Sequence, residues 1–300
     1  MNKTYHIPAL LNETIEALNI KDNGIYIDAT FGGGGHSKEI FKKLSTGKLI
    51  AFDQDPDASA NAWQADNFIL IQSNFQYIKN FIEYLKIDKV DGILADLGLS
   101  THHINEAERG FSFRFDARLD MRMNPKQQID AHFIINNYPQ KKLTDILKNY
   151  GQISNAYKIA NAICLSRTKK QINTTFELVD IVKKYIPKKN EQKSLAKIFQ
   201  AIRIEVNDEI GTLKKFLLES NDILKKGGRI AIISYHSLED KIVKSFFKTG
   251  NFDNERKTDM YGNIIRPLKP INNKVIVPSE NEINTNNRIR SAKLRIAEKI

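Results

Sequence analysis

Four consecutive glycines at positions 32–35, followed by His36 and Ser37, form the stretch of this sequence best suited to chemistry. Glycine lets a backbone turn sharply and approach a ligand closely. A helix opening just after such a turn adds N–H groups with no intrahelical partner. A dinucleotide fingerprint reads G-x-G-x-x-G. Its first two positions fit here as Gly32-x-Gly34 or Gly33-x-Gly35, but the third falls on Ser37 or Lys38, so neither frame is complete. No G-x-x-x-x-G-K-[ST] run is present, which argues against a P-loop. The stretch reads as a cradle for a nucleotide-like ligand, with a ligand-free flexible loop as the plainer alternative.

Carboxylates stand at suitable distances from that cradle. Asp53 follows Gly33 by twenty residues, a spacing that suits a group holding ribose hydroxyls. Its neighbour Asp55, in Asp55-Pro-Asp57, suits a helix cap. Asp28 either faces an amino group of the ligand or supports the loop by accepting its N–H bonds. Asp96 closes an apolar run and is expected near the reacting centre, with Ser234-Tyr-His-Ser237 as the other edge of the mouth. Phe75 and Leu97 either sandwich an adenine or pack in the core. Ser100 and His103 raise the possibility of nucleophilic hydrolysis, but Ser100 lacks the G-x-S-x-G elbow and no residue order supports a triad. Six histidines raise a metal question. No H-E-x-x-H occurs, and a single cysteine, Cys164, excludes cysteine-rich zinc sites, so no metal is expected. Cys164 lies in an apolar helical pattern and is expected to be buried.

The elements that must position these groups follow from periodicity. Residues 24–28, 48–52, 68–71 and 90–95 read as strands. Residues 37–44, 57–63 and 75–85 read as the helices between them. Such alternation predicts a parallel sheet with helices on both faces. The rhythm then breaks: 129–135, 141–148, 157–165, 175–185 and 195–209 are helical patterns with no convincing strand among them. Thr174 or Thr175, with Glu177 and Leu178 just beyond, marks a helix start, and Pro187 a stop. The α/β rhythm returns with a helix over 213–224, a turn at Lys226-Gly-Gly228, a buried strand over 229–234 and a helix over 238–247. Residues 250–290 read as irregular, and 291–300 as a final strand beside the sheet. The expected architecture is a Rossmann-like α/β core of residues 1–100 and 212–300, with an all-helical insert of residues 101–211. The insert leaves at the carboxyl end of the sheet, where ligands sit.

Bulk properties restrict the setting. The 300 residues suffice for two cores, and 41% hydrophobic with 27% charged residues is a globular composition. No run approaches the roughly 18 apolar residues of a membrane span, and the apolar start at Ile7 is too short for a secretory signal. A cytoplasmic protein is expected. The net charge of +11, from 46 basic against 35 acidic residues, suggests a polyanionic partner such as nucleic acid, or a proteome rich in lysine. Two segments concentrate the relevant side chains. Residues 108–123 interleave aromatics with Arg109, Arg114, Arg118 and Arg122, which suits phosphates and base stacking or a packed loop with salt bridges. Residues 287–295 are the densest basic run, which suits a nucleic-acid backbone or a charged strand edge.

Taken in order, several of these stretches resemble the bacterial 16S rRNA cytosine-N4-methyltransferase family, the MraW/RsmH family, from about Tyr5 to Ile300. They are His6-Ile-Pro-Ala-Leu-Leu11, Tyr26-Ile-Asp-Ala-Thr-Phe-Gly-Gly-Gly-Gly-His-Ser37, Asp53-Gln-Asp-Pro56, Asp96-Leu-Gly-Leu-Ser100, Glu108-Arg-Gly-Phe-Ser-Phe113, Leu119-Asp-Met-Arg-Met123, Phe199-Gln-Ala-Ile-Arg-Ile204, Ser234-Tyr-His-Ser-Leu-Glu-Asp240 and Arg290-Ser-Ala-Lys-Leu-Arg295. The resemblance implies a class I methyltransferase core, S-adenosylmethionine as donor, and methylation of the exocyclic N4 of a decoding-centre cytidine in 16S rRNA, within the small ribosomal subunit. It carries cofactor contacts to Gly34, Gly35, His36, Asp53, Phe75 and Asp96. His103 stands where the family has a glutamine, and its ring can still offer a hydrogen bond. Tyr235 replaces the family's phenylalanine, and Ala117 its glycine. Asp96 or the nearby Leu97-Gly98 carbonyls are the expected acceptors for the amine hydrogens, with Ser100, Tyr235 and His236 lining the pocket. A DNA or small-molecule amine methyltransferase on the same core, or a non-catalytic binding protein, are the rival readings. Monomer and homodimer both stay open.

Overall fold

In the computed structural model, which describes residues 8–100, 106–272 and 274–300, the apolar runs around the glycines become strands of one seven-stranded sheet. The strands are β1 (Ile25–Asp28), β2 (Lys48–Asp53), β3 (Phe68–Gln72), β4 (Val90–Asp96), β5 (Leu224–Ser234), β6 (Leu268–Pro270) and β7 (Lys293–Lys299). Their order is β3-β2-β1-β4-β5-β7-β6. The first five are parallel to one another, and β7 runs antiparallel to both β5 and β6.

Side chains divide between the faces with a period of two. Ile27, Ile50, Phe52, Ile93, Ala95, Ile230 and Ile232 enter one core. Tyr26, Leu49, Ala51, Leu94, Ala231 and Ile233 enter the other. A one-residue slip would exchange the two sets and mismatch both packed faces, which pins the register. The first face is covered by α3 (Ile78–Tyr84) through Ile78 and Ile82, by α9 (Glu209–Ile223) through Leu213, Phe216 and Leu217, and by α10 (Ser237–Thr249) through Val243, Phe246 and Phe247. The second is covered by α1 (Leu11–Leu18) through Ile15 and Leu18, and by α2 (Gly35–Lys42) through Ile40.

The chain divides into two compact units: residues up to Gly98 with Gly211–Ile300, and Leu99–Ile210. The second holds α4 (Ala131–Asn137), α5 (Gln140–Asn149), α6 (Ala156–Arg167), α7 (Thr175–Val182) and α8 (Glu191–Asn207) around its own core of Leu143, Ile146, Ile159, Leu178, Ile198 and Ile202. Thr174 and Glu177 form the reciprocal capping box expected at the start of α7. Among its described residues, the one ladder contact is the bridge between Arg118 and Thr174.

Several expectations need correction. Residues 57–63 do not form an α-helix; Pro56–Asn61 is a 3-10 turn, started by Pro56 and capped by Asp55, which accepts the Asp57 N–H. Lys226-Gly-Gly228 is not a turn after the helix. It lies inside β5, where Val90 pairs with Leu224 and Gly92 with Arg229, so the intervening residues bulge from the ladder. The helix α1 escaped the periodicity reading, and the irregular stretch 250–290 contains β6 and α11 (Glu280–Thr285). Cys164 is only half-buried on α6. β7 is not an edge strand, because β6 covers its outer side.

The arginine-rich segment is a packed loop. Arg109 donates to the carbonyls of Arg122 and Met123, Arg122 grips Asp120 through two nitrogens, and Arg118 pairs with Asp130. Phe111 is buried, and Phe113 packs edge-on against Phe199.

Candidate active site

Strand order reverses direction between β1 and β4, so a crevice opens at their carboxyl ends. Asp28 and Asp96 end these two strands. Asp28 is buried and accepts the Ser37 hydroxyl at 2.6 Å and the Thr30 N–H at 3.0 Å. Burial pushes its pKa up, and the Ser37 and Thr30 bonds offset part of that rise. Of its two expected roles, these contacts describe the support of the loop.

The glycine loop is held from below and from the side. Phe31 donates its N–H to Phe52 O at 2.8 Å, and Gly34 closes a turn onto Phe31 O at 2.7 Å. Gly32 (φ 50°) and Gly34 (φ 73°) occupy the left-handed region, which disfavours residues with a Cβ. A Cβ on Gly34 would also stand 3.0 Å from the Phe31 ring. A Cβ on Gly35 would lie 2.2 Å from Pro8 Cγ, so that glycine is required by close approach of the preceding segment. Gly34 is the N-cap of α2 and has no side chain to satisfy the free N–H groups there. The Phe31, Phe41, Trp63 and Phe68 rings form a pad beside the loop, with Trp63 and Phe68 stacked at 4.0 Å.

Asp53 ends β2 and fixes the loop directly. One carboxylate oxygen accepts the Gly32 N–H at 2.7 Å, and the other accepts the Asp55 N–H at 2.8 Å. Phe75 is half-buried and meets Phe216 edge-on, with centroids 4.9 Å apart. Leu97 is 6% exposed and belongs to the core, so of the two side chains expected to sandwich an adenine, Phe75 is the one left partly open.

Asp96, His36 and Tyr235 converge. The Tyr235 hydroxyl donates to Asp96 Oδ1 at 2.9 Å, and the Asp96 N–H donates to Thr30 Oγ1 at 2.7 Å. His36 Nδ1 lies 3.8 Å from Asp96 Oδ2. His36 Nε2 lies 3.1 Å from Ala9 O, and a carbonyl only accepts, so Nε2 carries the proton and Nδ1 presents a lone pair. Burial lowers the His36 pKa to about 4, which keeps the ring neutral at physiological pH. Burial raises the Asp96 pKa to about 7, against the bond from Tyr235, with the Asp28 and Glu239 charges adding to the rise. Burial and Asp96 itself push the Tyr235 phenol well above its usual range, so it serves as a donor.

His236 has a structural task. It caps α10, with Nδ1 accepting the Glu239 N–H, while Glu239 Oε2 accepts the N–H groups of Tyr235 and His236 at 2.9 and 3.2 Å. Ser100 lies in the helical unit, half-buried, and His103 lies outside the described residues. The structure therefore brings together Gly34, Gly35, His36, Asp53, Asp96 and Tyr235 at the carboxyl end of the sheet. Thr30, the Ala9 carbonyl and Glu239 were not anticipated. The first two act through spacing in the fold that no motif signals. The Glu239 capping box was hidden because histidine is an unusual cap.

A family model described as the MraW methylase family matches residues 3–300. A ribosomal RNA small subunit methyltransferase H from Flavobacterium johnsoniae is 54% identical over 297 residues, covering 99% of this chain and 98% of its own. A protein of the same name from Bacteroides fragilis is 50% identical with the same coverage. Among solved structures, an rRNA methylase from Streptococcus thermophilus covers 97% of this chain and 93% of its own, a distant likeness at 15% identity and a TM-score of 0.41.

Proposed function

The chain belongs to the MraW methylase family, and on that premise we propose that it transfers a methyl group from S-adenosylmethionine to the exocyclic N4 of a decoding-centre cytidine in 16S rRNA, within the small ribosomal subunit. The observation that carries this reading is Asp96, its backbone N–H held by Thr30 and its carboxylate by Tyr235, beside a neutral His36 at the switch point of the sheet.

The residues present fit the cofactor. The uncapped start of α2 behind two left-handed glycines offers N–H groups to a polar ligand. Asp53 ends β2 beside the loop, where the ribose would lie, Phe75 offers a ring to the adenine, and Gly34, Gly35 and His36 complete the wall. S-adenosylmethionine, when bound, supplies an electrophilic methyl group on a sulfonium.

What remains for the protein is alignment and proton handling. Cytosine N4 is a weak nucleophile because its lone pair delocalises into the ring. Asp96, in its ionised form, accepts an N4 hydrogen and favours the developing tetrahedral nitrogen. Tyr235 keeps that carboxylate oriented and supplies a hydrogen bond to it. His36, neutral and anchored on Ala9, adds no charge that would trap the carboxylate in an ion pair. His236 contributes through the turn that carries Tyr235. The target base leaves its stack to reach such a crevice.

The helical insert, taken as residues 101–211, is read as the substrate-recognition domain. Lys169, Lys184, Lys188 and Lys189 are exposed on it and suit a phosphate backbone, while Lys170 and Lys183 pair with Glu177 and Asp180. Among the described residues no helix is long and apolar enough to cross a membrane. A ribosomal substrate places the enzyme in the cytoplasm. The test is incubation with unmethylated small subunits and labelled S-adenosylmethionine, followed by mapping of the modified nucleotide. Label on a decoding-centre cytidine N4 supports the proposal. Label on duplex DNA instead, or no transfer at all, defeats it.

A further inference from the structure

Between α10 and β6 the chain makes a small hairpin that the active site does not use. Thr258 bridges Ile264 in antiparallel fashion, and Ile265 donates its N–H to Lys257 O at 2.8 Å. Asp259 organises the tip. Its Oδ1 accepts the N–H groups of Tyr261 and Asn263, each at 2.9 Å, and its Oδ2 accepts Asn263 Nδ2 at 3.1 Å. Gly262 (φ 82°) closes the turn onto Asp259 O. The base is tied down as well: Asn251 bonds both the N–H and the carbonyl of Glu255, and Arg266 donates to Lys248 O. This ordered tip presents Met260 at 88% exposure and Tyr261 at 82%, with Arg256 and Lys257 exposed alongside. Residues 254–270 contain four basic side chains and two acidic ones, and one of the acids, Asp259, is occupied within the turn.

Two adjacent large apolar side chains on a preformed tip need an explanation more than scattered surface ones do. Because the loop is already ordered by its own hydrogen bonds, a partner would not bear the cost of fixing it. A bare aromatic ring next to cationic side chains matches an unpaired base next to its phosphates. We propose that this hairpin, through Tyr261, Arg256 and Lys257, binds an unpaired segment of the small-subunit rRNA; the proposal rests on the ribosomal substrate named above.

Its location sets what the contact does. Ile300 donates to Pro267 O, Leu268 pairs with Lys299, and Lys293 pairs with Ser234 at the other end of β7. The hairpin thus lies at the end of the sheet opposite Tyr235, roughly 20 Å away along seven residues of strand. A contact there cannot touch the reacting atoms. It anchors the substrate, and it demands an RNA surface that spans the length of the sheet, which an isolated short strand does not offer.

The experiment measures methyl transfer to unmethylated small subunits over a concentration series for the full-length protein and for Tyr261→Ala, Tyr261→Phe and the double variant Arg256→Ala/Lys257→Ala. Tyr261→Ala should raise KM by about fivefold or more, the lower end of one lost base stack, with kcat and the cofactor Kd unchanged. Tyr261→Phe should keep the wild-type KM, because it keeps the ring. The double variant should lower the slope of log KM against log salt by roughly 0.7 per lost phosphate contact. A photo-crosslinker placed at position 261 should capture rRNA. An unchanged KM in Tyr261→Ala, or crosslinks to a ribosomal protein in place of rRNA, would overturn the proposal. If the wild type methylates no small subunits, the premise has failed; co-sedimentation of the variants with subunits then still decides whether the hairpin binds them.

Discussion

Asp96 and His36 are neighbours whose burial has opposite consequences. The folded Asp96 carboxyl titrates near pH 7, well above its ordinary value of 3.8. Between those values the folded protein holds a proton that the unfolded chain releases, so the associated stability is greatest at low pH and is lost as pH rises to about 7. His36 titrates near pH 4 against an ordinary 6.5. Its contribution is present above pH 6.5 and is lost as pH falls toward 4. The two slopes oppose each other over much of the same window. Asp96→Asn removes one of them, so its thermal midpoint should climb from about pH 4 to 6.5 more steeply than that of the wild type, and exceed it at pH 8. Because the Asp96 side chain stays 22% exposed, the gain at pH 8 should be modest, a few degrees. The same variant should lose at least about a hundredfold in kcat, the scale of a lost proton acceptor, with little change in KM for small subunits. Equal losses in rate and subunit binding would remove Asp96 from the chemistry, and an unaltered melting profile across pH would show that Asp96 does not titrate in this window.

At the scale of elements, the glycine loop is a strand-to-helix junction whose geometry is set by Asp28, Asp53 and the close approach of Pro8. Gly34→Ala must place a Cβ in the left-handed region, at roughly 1–2 kcal/mol, and 3.0 Å from Phe31. We expect cofactor affinity to fall by tenfold or more while the melting temperature drops by only a few degrees. Calorimetric titration with S-adenosylhomocysteine checks this, and wild-type affinity would show that the loop is not the cofactor wall. The loop, its two aspartates and the first four strands were legible because strand period, glycine clustering and carboxylates at strand ends are local signals. The Lys226-Gly-Gly228 bulge was not, because two glycines after a helix read as a turn until the β4 partner shows that the ladder resumes at Arg229. Tyr235 was legible only as a position at the mouth; its bond to Asp96 joins residues 139 apart in sequence.

For the whole molecule, the net charge of +11 matters through its distribution. Arg295 and Lys293 are engaged by Asp240, and Arg203 by Glu209, whereas many lysines of the helical unit are exposed. Counterion release should therefore make KM for small subunits rise steeply with salt, while kcat, set at the carboxyl end of the sheet, stays flat. Steady-state kinetics between about 50 and 200 mM salt tests this, and a salt-independent KM would indicate recognition without phosphate contacts.

Sequence alone determined the class of fold, the existence of a helical insert and the residues at which strands meet loops, because periodicity and glycine placement act over a few residues. Tertiary structure decided what those residues do to each other. It made Asp53 a clamp on Gly32, gave the arginines at 109, 118 and 122 carbonyls and carboxylates within their own loop, turned His236 into a helix cap, and set Asp96 between Tyr235 and His36. The physical reason is that protonation state and hydrogen-bond partner depend on burial and on groups brought together by the sheet, and neither is written in the spacing of one chain segment.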